Sequence, residues 1–247
     1  MEPPEALGRA RERLARARNV MVITGAGISA ESGIPTFRTK DGLWNKVNPL
    51  DFASADAFHA DPDKVWRWYD VRRQAIARAE PNPGHKALAA LQSPDRRVFI
   101  VTQNVDDLHE RAGSKEVVHV HGSIWRVRCE RDGTVEDNRE VPLAAIPPLC
   151  HCGNPMRPDI VWFGEDLPWR PVQAIQNYLL SGGIDACLVI GTEASFGYIV
   201  QWVFAAREGG ALTVDVNPRE TGLGSLADVQ LRGRAGETLL RLVPQPA

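Results

Sequence analysis

Residues 20–38 read VMVITGAGISAESGIPTFR, and this stretch decides the fold. The apolar run Val20-Met21-Val22-Ile23 has the character of a buried strand. A glycine turn follows at once, then small and polar residues. That is the layout of a phosphate cradle. Glycines let backbone N–H groups approach a pyrophosphate, and a following helix N-terminus adds a favourable dipole. Gly25, Gly27 and Ala30 occupy the small positions of the dinucleotide fingerprint. An ordinary glycine turn after a strand would explain the glycines alone. It has no need of Pro35, Phe37 and Arg38, which set a stiff turn, an aromatic ring and a guanidinium beside the same cradle.

Outward from this segment, strand-like apolar runs lie at 19–24, 97–102, 186–191 and 211–216, with a shorter one at 116–120. Helical patterns fall at 5–18, 84–92, 105–112, 171–181 and 195–208. Strands alternating with helices imply an α/β fold, a Rossmann-like doubly wound parallel sheet. Ligands of such sheets bind beyond the carboxyl ends of the strands. The polar residues gather there: GAGIS, then Thr102-Gln103-Asn104, His121-Gly122, Gly191-Thr192 and Asp215-Val216-Asn217. Two stretches break the alternation. Residues 40–83 are rich in Trp, Phe and charge and read as helical; residues 123–165 hold cysteines and prolines without a long periodic segment. Both read as insertions that form a second, smaller lobe, a helical module plus a cysteine-containing module. The large lobe then comprises about 1–39, 84–122 and 166–247 of a single domain spanning 1–247.

Bulk properties narrow the classes of partner. The 247 residues are 43% hydrophobic, enough for a sizeable core. The net charge of −2 gives no footprint for a polyanion, so no nucleic acid is expected. No apolar run approaches the length that spans a bilayer, and the charged N-terminus lacks an apolar signal segment, so no membrane and a cytoplasmic location are expected. The four cysteines, Cys129, Cys150, Cys152 and Cys187, do not form a secreted disulfide framework.

Taken together, GAGISAESGIPTFR, TQNVDDLHERAG, VHVHGS and PDIVWFGE, in that order, resemble the sirtuin family of NAD-dependent protein deacylases over roughly residues 18–240. The resemblance implies that NAD is consumed rather than used as a hydride carrier. The acyl-lysine carbonyl oxygen attacks the nicotinamide ribose carbon and nicotinamide leaves. A base then activates a ribose hydroxyl, the acyl group migrates, and O-acyl-ADP-ribose and free lysine result. An ordinary Rossmann dehydrogenase is disfavoured, because its ribose-binding acid should end a second strand about 20 residues after the glycines, where this chain reads as a loop from Asp41 to Pro49.

The resemblance also assigns roles. His121 is the base, a task that suits a neutral imidazole; His119, two residues earlier, reads as structural. Asn104 and Asp106 offer an amide and a carboxylate for the nicotinamide carboxamide and nearby ribose. The same run reads as an N-cap with acids in the first helical turn, and both readings can hold. Phe37 shields the ribose carbon, Arg38 meets phosphate or ribose, and Gln103 reaches ribose hydroxyls. Gly25, Ala26, Gly27, Ile28, Ser29, Glu31, Thr36 and Val105 complete the near half of the cofactor site. Gly191, Thr192, Glu193, Asn217, Pro218, Arg219 and Ala235 match the adenosine half. The family usually has Ser where Glu193 stands, and often a shorter polar residue than Arg219.

Tyr69 and Arg72 stand at i and i+3 on an expected helix and share one face. The pair resembles the sirtuin branch that removes malonyl and succinyl groups. A guanidinium clamps a terminal carboxylate with charge-assisted bonds, helped by a phenol. Alone, Arg72 would read as a surface residue of a basic helix. Val161, in the run Val161-Trp162-Phe163-Gly164-Glu165, is the expected contact to the acylated lysine of a protein substrate; Trp162 and Phe163 read equally as a buried strand. The resemblance makes the cysteine-containing part of the small lobe a zinc-ribbon-like module, since most sirtuins hold a structural zinc with two Cys-x-x-Cys pairs. Here Cys129 pairs in sequence with Asp132, and Cys150-His151-Cys152 is tighter than usual. Three thiolates plus Asp132 or His151 would complete a tetrahedral site; the alternative is a lobe that has lost its metal. Cys187 reads as a core residue. Mono-ADP-ribosyl transfer and non-catalytic sensing of NAD or ADP-ribose are the competing functions.

Overall fold

The computed structural model describes residues 4–36 and 47–243. Its centre is β1 (Asn19–Thr24), the apolar run that precedes the glycine turn. β2 (Arg97–Thr102) and β3 (Glu116–His119) lie to one side of it. β7 (Ala186–Ile190), β8 (Leu212–Val216) and β9 (Val229–Leu231) lie to the other, giving the order β3-β2-β1-β7-β8-β9. Every neighbouring pair is parallel. The order reverses between β1 and β7, which is the switch point where such sheets open a crevice. The register makes the strands end level. Thr24 pairs with Thr102 and Ile190, Thr102 with His119, and Ile190 with Val216. Gly25, Gln103, Gly191 and Asn217 therefore leave the sheet in one row.

Strand residues alternate between two cores, which is why the runs are apolar throughout. Val20 and Val22 pack with α1 (Pro4–Arg16), α5 (Pro83–Leu91) and α9 (Ala235–Leu242) through Leu14, Leu88 and Leu239. Met21 and Ile23 pack with α7 (Trp169–Leu180) and α8 (Gly197–Glu208) through Ile175 and Trp202. Cys187 belongs to this second core, and burial pushes its thiol up to about 12.

A third core joins α3 (Ala55–Ala60) and α4 (Pro62–Arg78) to a separate antiparallel sheet. That sheet is ordered β5-β4-β6, from β4 (Gly122–Cys129), β5 (Val135–Asp137) and β6 (Met156–Ile160). Phe58, Trp66, Tyr69, Trp125, Met156 and Trp162 fill it. Its helices start where sequence chemistry says they should. The Ser54 and Asp61 side chains accept from the Ala57 and Lys64 N–H groups, and Pro62 and Pro83 occupy first-turn positions.

Some expectations are corrected. α2 (Ala26–Ser29) is only four residues long and runs into a single 3-10 turn, so the cradle relies on turn N–H groups more than on a helix dipole. The helix expected over 105–112 shrinks to α6 (Leu108–Arg111), with Asp107 rather than Asn104 at its N-cap position. β9 and α9 carry too few residues of clear period to be read from sequence. Phe37, Arg38 and the Asp41–Lys46 part of the expected loop lie outside the described residues.

Candidate active site

The row of strand ends lines one cavity of about 750 Å³. Its floor depends on two backbones meeting at the switch point. Gly27 N–H donates to the Gly191 carbonyl at 2.8 Å. A Cβ on Gly27 would stand 2.6 Å from Gly191 Cα, and Gly191 itself has φ +62°, a left-handed conformation that glycine tolerates. The glycines let the turns after β1 and β7 close against each other, leaving the space above them for a ligand.

Gly25, Ala26, Thr36, Gln103, Asn104 and Val105 line the near part of this space. Ile28 does not: its side chain is fully buried in the first core. Ser29 and Asp106 stand behind the lining as a relay. Asn104 Nδ2 donates to Gly25 O at 3.2 Å and to Ser29 Oγ at 3.1 Å. Ser29 donates to Asp106 Oδ2 at 3.0 Å, and Asp106 Oδ1 accepts the Leu108 N–H at 3.2 Å. Asn104 is thus spent on positioning its own carboxamide beside the glycine turn, which is why it does not cap α6. Burial pushes the Asp106 carboxyl above its ordinary value, against the pull of those two donors.

At the far part, Asn217 Nδ2 donates to the Thr192 carbonyl at 3.0 Å, and Thr192 Oγ1 accepts from Gln103 Nε2 at 2.9 Å. Gly191, Pro218 and Ala235 line the same end. Glu193 and Arg219, the two departures from the family pattern, pair with each other at 3.1 Å. One change answers the other at the rim. Glu31 lines the cavity, while its carboxylate accepts the Gly236 N–H at 2.7 Å and caps the start of α9.

His121 follows β3 and faces the cavity. Its Nδ1–H donates to the Gln103 carbonyl at 3.0 Å, and its Nε2 meets the Tyr198 hydroxyl at 2.7 Å. Burial pushes the ring below the ordinary imidazole value, partly offset by the Gln103 carbonyl. His119 is committed elsewhere, to the Asn104 carbonyl at 3.0 Å and Glu110 at 2.6 Å. Burial opposes its charge, yet Glu110 holds it above the ordinary value. Tyr198 escaped the sequence reading because nothing in SFGYIV marks a tyrosine in the first turn of a helix as facing a histidine 77 positions earlier.

Tyr69, Arg72 and Ala53 line the same cavity. The Arg72 guanidinium lies over the Trp68 ring at 4.7 Å and the Tyr69 ring at 5.6 Å. Burial pushes Arg72 below its ordinary value. Val161 N–H donates to the His121 carbonyl at 3.0 Å, which fixes the 161–165 turn beside the imidazole. Within that turn the two aromatic residues part company. Trp162 is 2% exposed, while Phe163 is 40% exposed and lines the cavity; β6 ends at Ile160, so neither is in a strand and only Trp162 is buried as expected.

At the end of β4 and in the turns beside it, the Sγ atoms of Cys129, Cys150 and Cys152 and a carboxylate oxygen of Asp132 lie within 4.8 Å of one another. Cys129 and Cys152 Sγ are 3.6 Å apart. Two thiolates on a tetrahedral zinc at about 2.3 Å stand roughly 3.8 Å apart, so the donor set fits that ion. Asp132, not His151, completes the group.

Comparison with known proteins gives the same answer. The model of the Sir2 family matches residues 25–196. An NAD-dependent protein deacylase of Aquifex aeolicus is 46% identical over 226 residues, covering 91% of this chain and 93% of that protein. A Sir2 homologue solved with ADP-ribose superposes with TM-score 0.89 at 40% identity, covering 95% of this chain and 94% of the other. A Sir2 homologue solved with NAD gives TM-score 0.87 at 40% identity, covering 96% and 92%. The chain belongs to the Sir2 family, the sirtuins.

Proposed function

We propose that this enzyme removes acidic acyl groups, succinyl and malonyl, from protein lysine in preference to acetyl. NAD-dependent protein deacylation, with NAD as co-substrate, is the activity it shares with its relatives. The cavity would lie between a large lobe (1–39, 84–122, 166–247) and a small lobe (40–83, 123–165). The observation that carries the preference is that Tyr69 and Arg72 line the same cavity as His121. A half-buried guanidinium has donors arranged to bind a carboxylate with charge-assisted bonds, and the terminal carboxylate of a succinyl group matches them. Acetyl-lysine fits the same space without that gain.

The residues divide the work. The glycine turns and Gln103 hold the ribose and phosphates of the dinucleotide. Asn104, oriented by Ser29 and Asp106, meets the nicotinamide carboxamide. Phe37 and Arg38 keep the roles that the family pattern implies. Val161 aligns the acyl-lysine next to His121. The neutral His121 accepts the ribose hydroxyl proton at Nε2, while Gln103 holds Nδ1. The depressed basicity of the buried ring keeps it neutral and ready at pH 7. Zinc would be held by Cys129, Asp132, Cys150 and Cys152, where its task is to stabilise the small sheet.

The test is product analysis. Incubation of a succinyl-lysine peptide with NAD should yield free lysine, nicotinamide and O-succinyl-ADP-ribose by mass spectrometry. His121→Ala should abolish these products while NAD binding stays measurable. An active variant would refute the base.

A further inference from the structure

The Tyr69 hydroxyl is hydrogen-bonded in only one way among the described residues: it accepts the indole N–H of Trp162 at 2.9 Å. An indole nitrogen donates and never accepts. The phenol oxygen must therefore be the acceptor in this pair, and its own O–H is left to donate elsewhere. Tyr69 lines the cavity, with the Arg72 guanidinium 5.6 Å from its ring, so that is where the proton can find an acceptor.

Trp162 is itself pinned from three sides. Its backbone N–H donates to Glu165 Oε2 at 2.8 Å. The Arg157 guanidinium lies over its ring at 3.4 Å, and Phe58 packs against it at 5.6 Å between centroids. Arg157 is in turn fixed by Glu165 at 2.6 Å and Glu130 at 3.0 Å, and it is 1% exposed. The indole cannot rotate away without breaking this set. Burial also pushes the Tyr69 phenol above its ordinary value, so the hydroxyl keeps the proton it is to donate.

We propose that Trp162 is a specificity-determining positioning residue: its N–H bonds the Tyr69 oxygen as donor, which orients the phenol so that its O–H is left to donate into the cavity. Arg72, which has donors and no acceptor, lines the same cavity, so the phenol and the guanidinium both turn donors toward it. A terminal carboxylate satisfies them; an amide or hydroxyl terminus satisfies them less well, and a methyl does not. This inference rests on the preference for acidic acyl groups argued above, and it adds the residue that polarises the pocket.

The experiment compares kcat/KM for succinyl- and acetyl-lysine versions of one peptide, with NAD, in four full-length enzymes: wild type, Trp162→Phe, Tyr69→Phe and the double variant. Trp162→Phe keeps an aromatic ring and removes the N–H. It should lower the succinyl-to-acetyl ratio about 2–10-fold, the scale of one hydrogen bond. In the Tyr69→Phe background the same change should leave the ratio unaltered, because its route runs through the phenol. Equal loss on both peptides would make Trp162 merely structural and overturn the proposal. An undiminished effect without the phenol would overturn it too. Trp162→His, which restores an N–H on a smaller ring, should keep at least half of the wild-type selectivity; a ratio matching Trp162→Phe speaks against the N–H. A wild type without any succinyl preference removes the underlying reading, whereas a preference that survives Trp162→Phe removes only this inference.

Discussion

The Tyr198 hydroxyl meets Nε2 of His121 at 2.7 Å, while Nδ1 faces the Gln103 carbonyl at 3.0 Å. A carbonyl only accepts, so Nδ1 carries the hydrogen and Nε2 presents the lone pair of the neutral ring. Tyr198 therefore donates to the nitrogen that has to receive the ribose proton. A ribose hydroxyl arriving there replaces a bond that is already made. Tyr198→Phe should bind ADP-ribose about 2–10-fold more tightly by calorimetry, the equivalent of ~0.5–1.5 kcal/mol. Weaker binding would mean that the phenol contacts the ligand instead.

The Arg157 ion pairs set the stability of the small lobe. The guanidinium bonds Glu130 and Glu165, and also donates to the Ile160 carbonyl at 3.0 Å. Removing one partner of a buried pair strands the other charges. Arg157→Met should cost about 3–5 kcal/mol in urea unfolding. A loss within the range of a surface substitution would show that the carboxylates are solvated.

Acid should destabilise the fold through buried neutral histidines. His85 is fully buried, both of its ring nitrogens lack a partner among the described residues, and burial lowers it to about 4 from 6.5. Below pH 6.5 the unfolded chain takes up this proton and the folded chain does not, so stability falls until about pH 4. The loss is on the order of 3 kcal/mol for this one group. His109 packs against His85 at 5.0 Å and is lowered in the same direction by burial, so it adds to the slope. Urea midpoints measured across this range should show a shallower fall in His85→Gln. An unchanged slope would place the proton uptake elsewhere.

The metal site offers a direct check. Purified protein should contain about one zinc per chain, and Asp132→Ala should lose it while Asp132→Cys keeps it. Chelation should lower the thermal midpoint. Metal-free protein with an unchanged midpoint would make the four side chains a relic.

Much of the site was legible because it sits where local patterns are strongest. Gly25, Gln103, His121, Gly191 and Asn217 each follow a strand, and level strand ends bring them into one row. What escaped depends on long-range contact. Asn104 reads in sequence both as a cofactor-facing amide and as a helix cap, and only the fold shows its carboxamide held by Gly25 and Ser29 across the sheet. Ile28 follows the cradle in sequence, yet its side chain turns into the core. Tyr198 and Trp162 show no periodic or motif signal for the partners they reach. The pairing of Glu193 with Arg219 links two loops whose departures look unrelated along the chain.

The central claim is that Arg72 and Tyr69 select an acidic acyl group. The most direct measurement is kcat/KM on succinyl- and acetyl-lysine forms of one peptide, in wild type and Arg72→Met. The wild type should favour succinyl. The variant should lose about 10–100-fold on succinyl, the worth of a charge-assisted bond, and only a few-fold on acetyl. Equal losses on the two peptides, or a wild type that favours acetyl, would contradict the account.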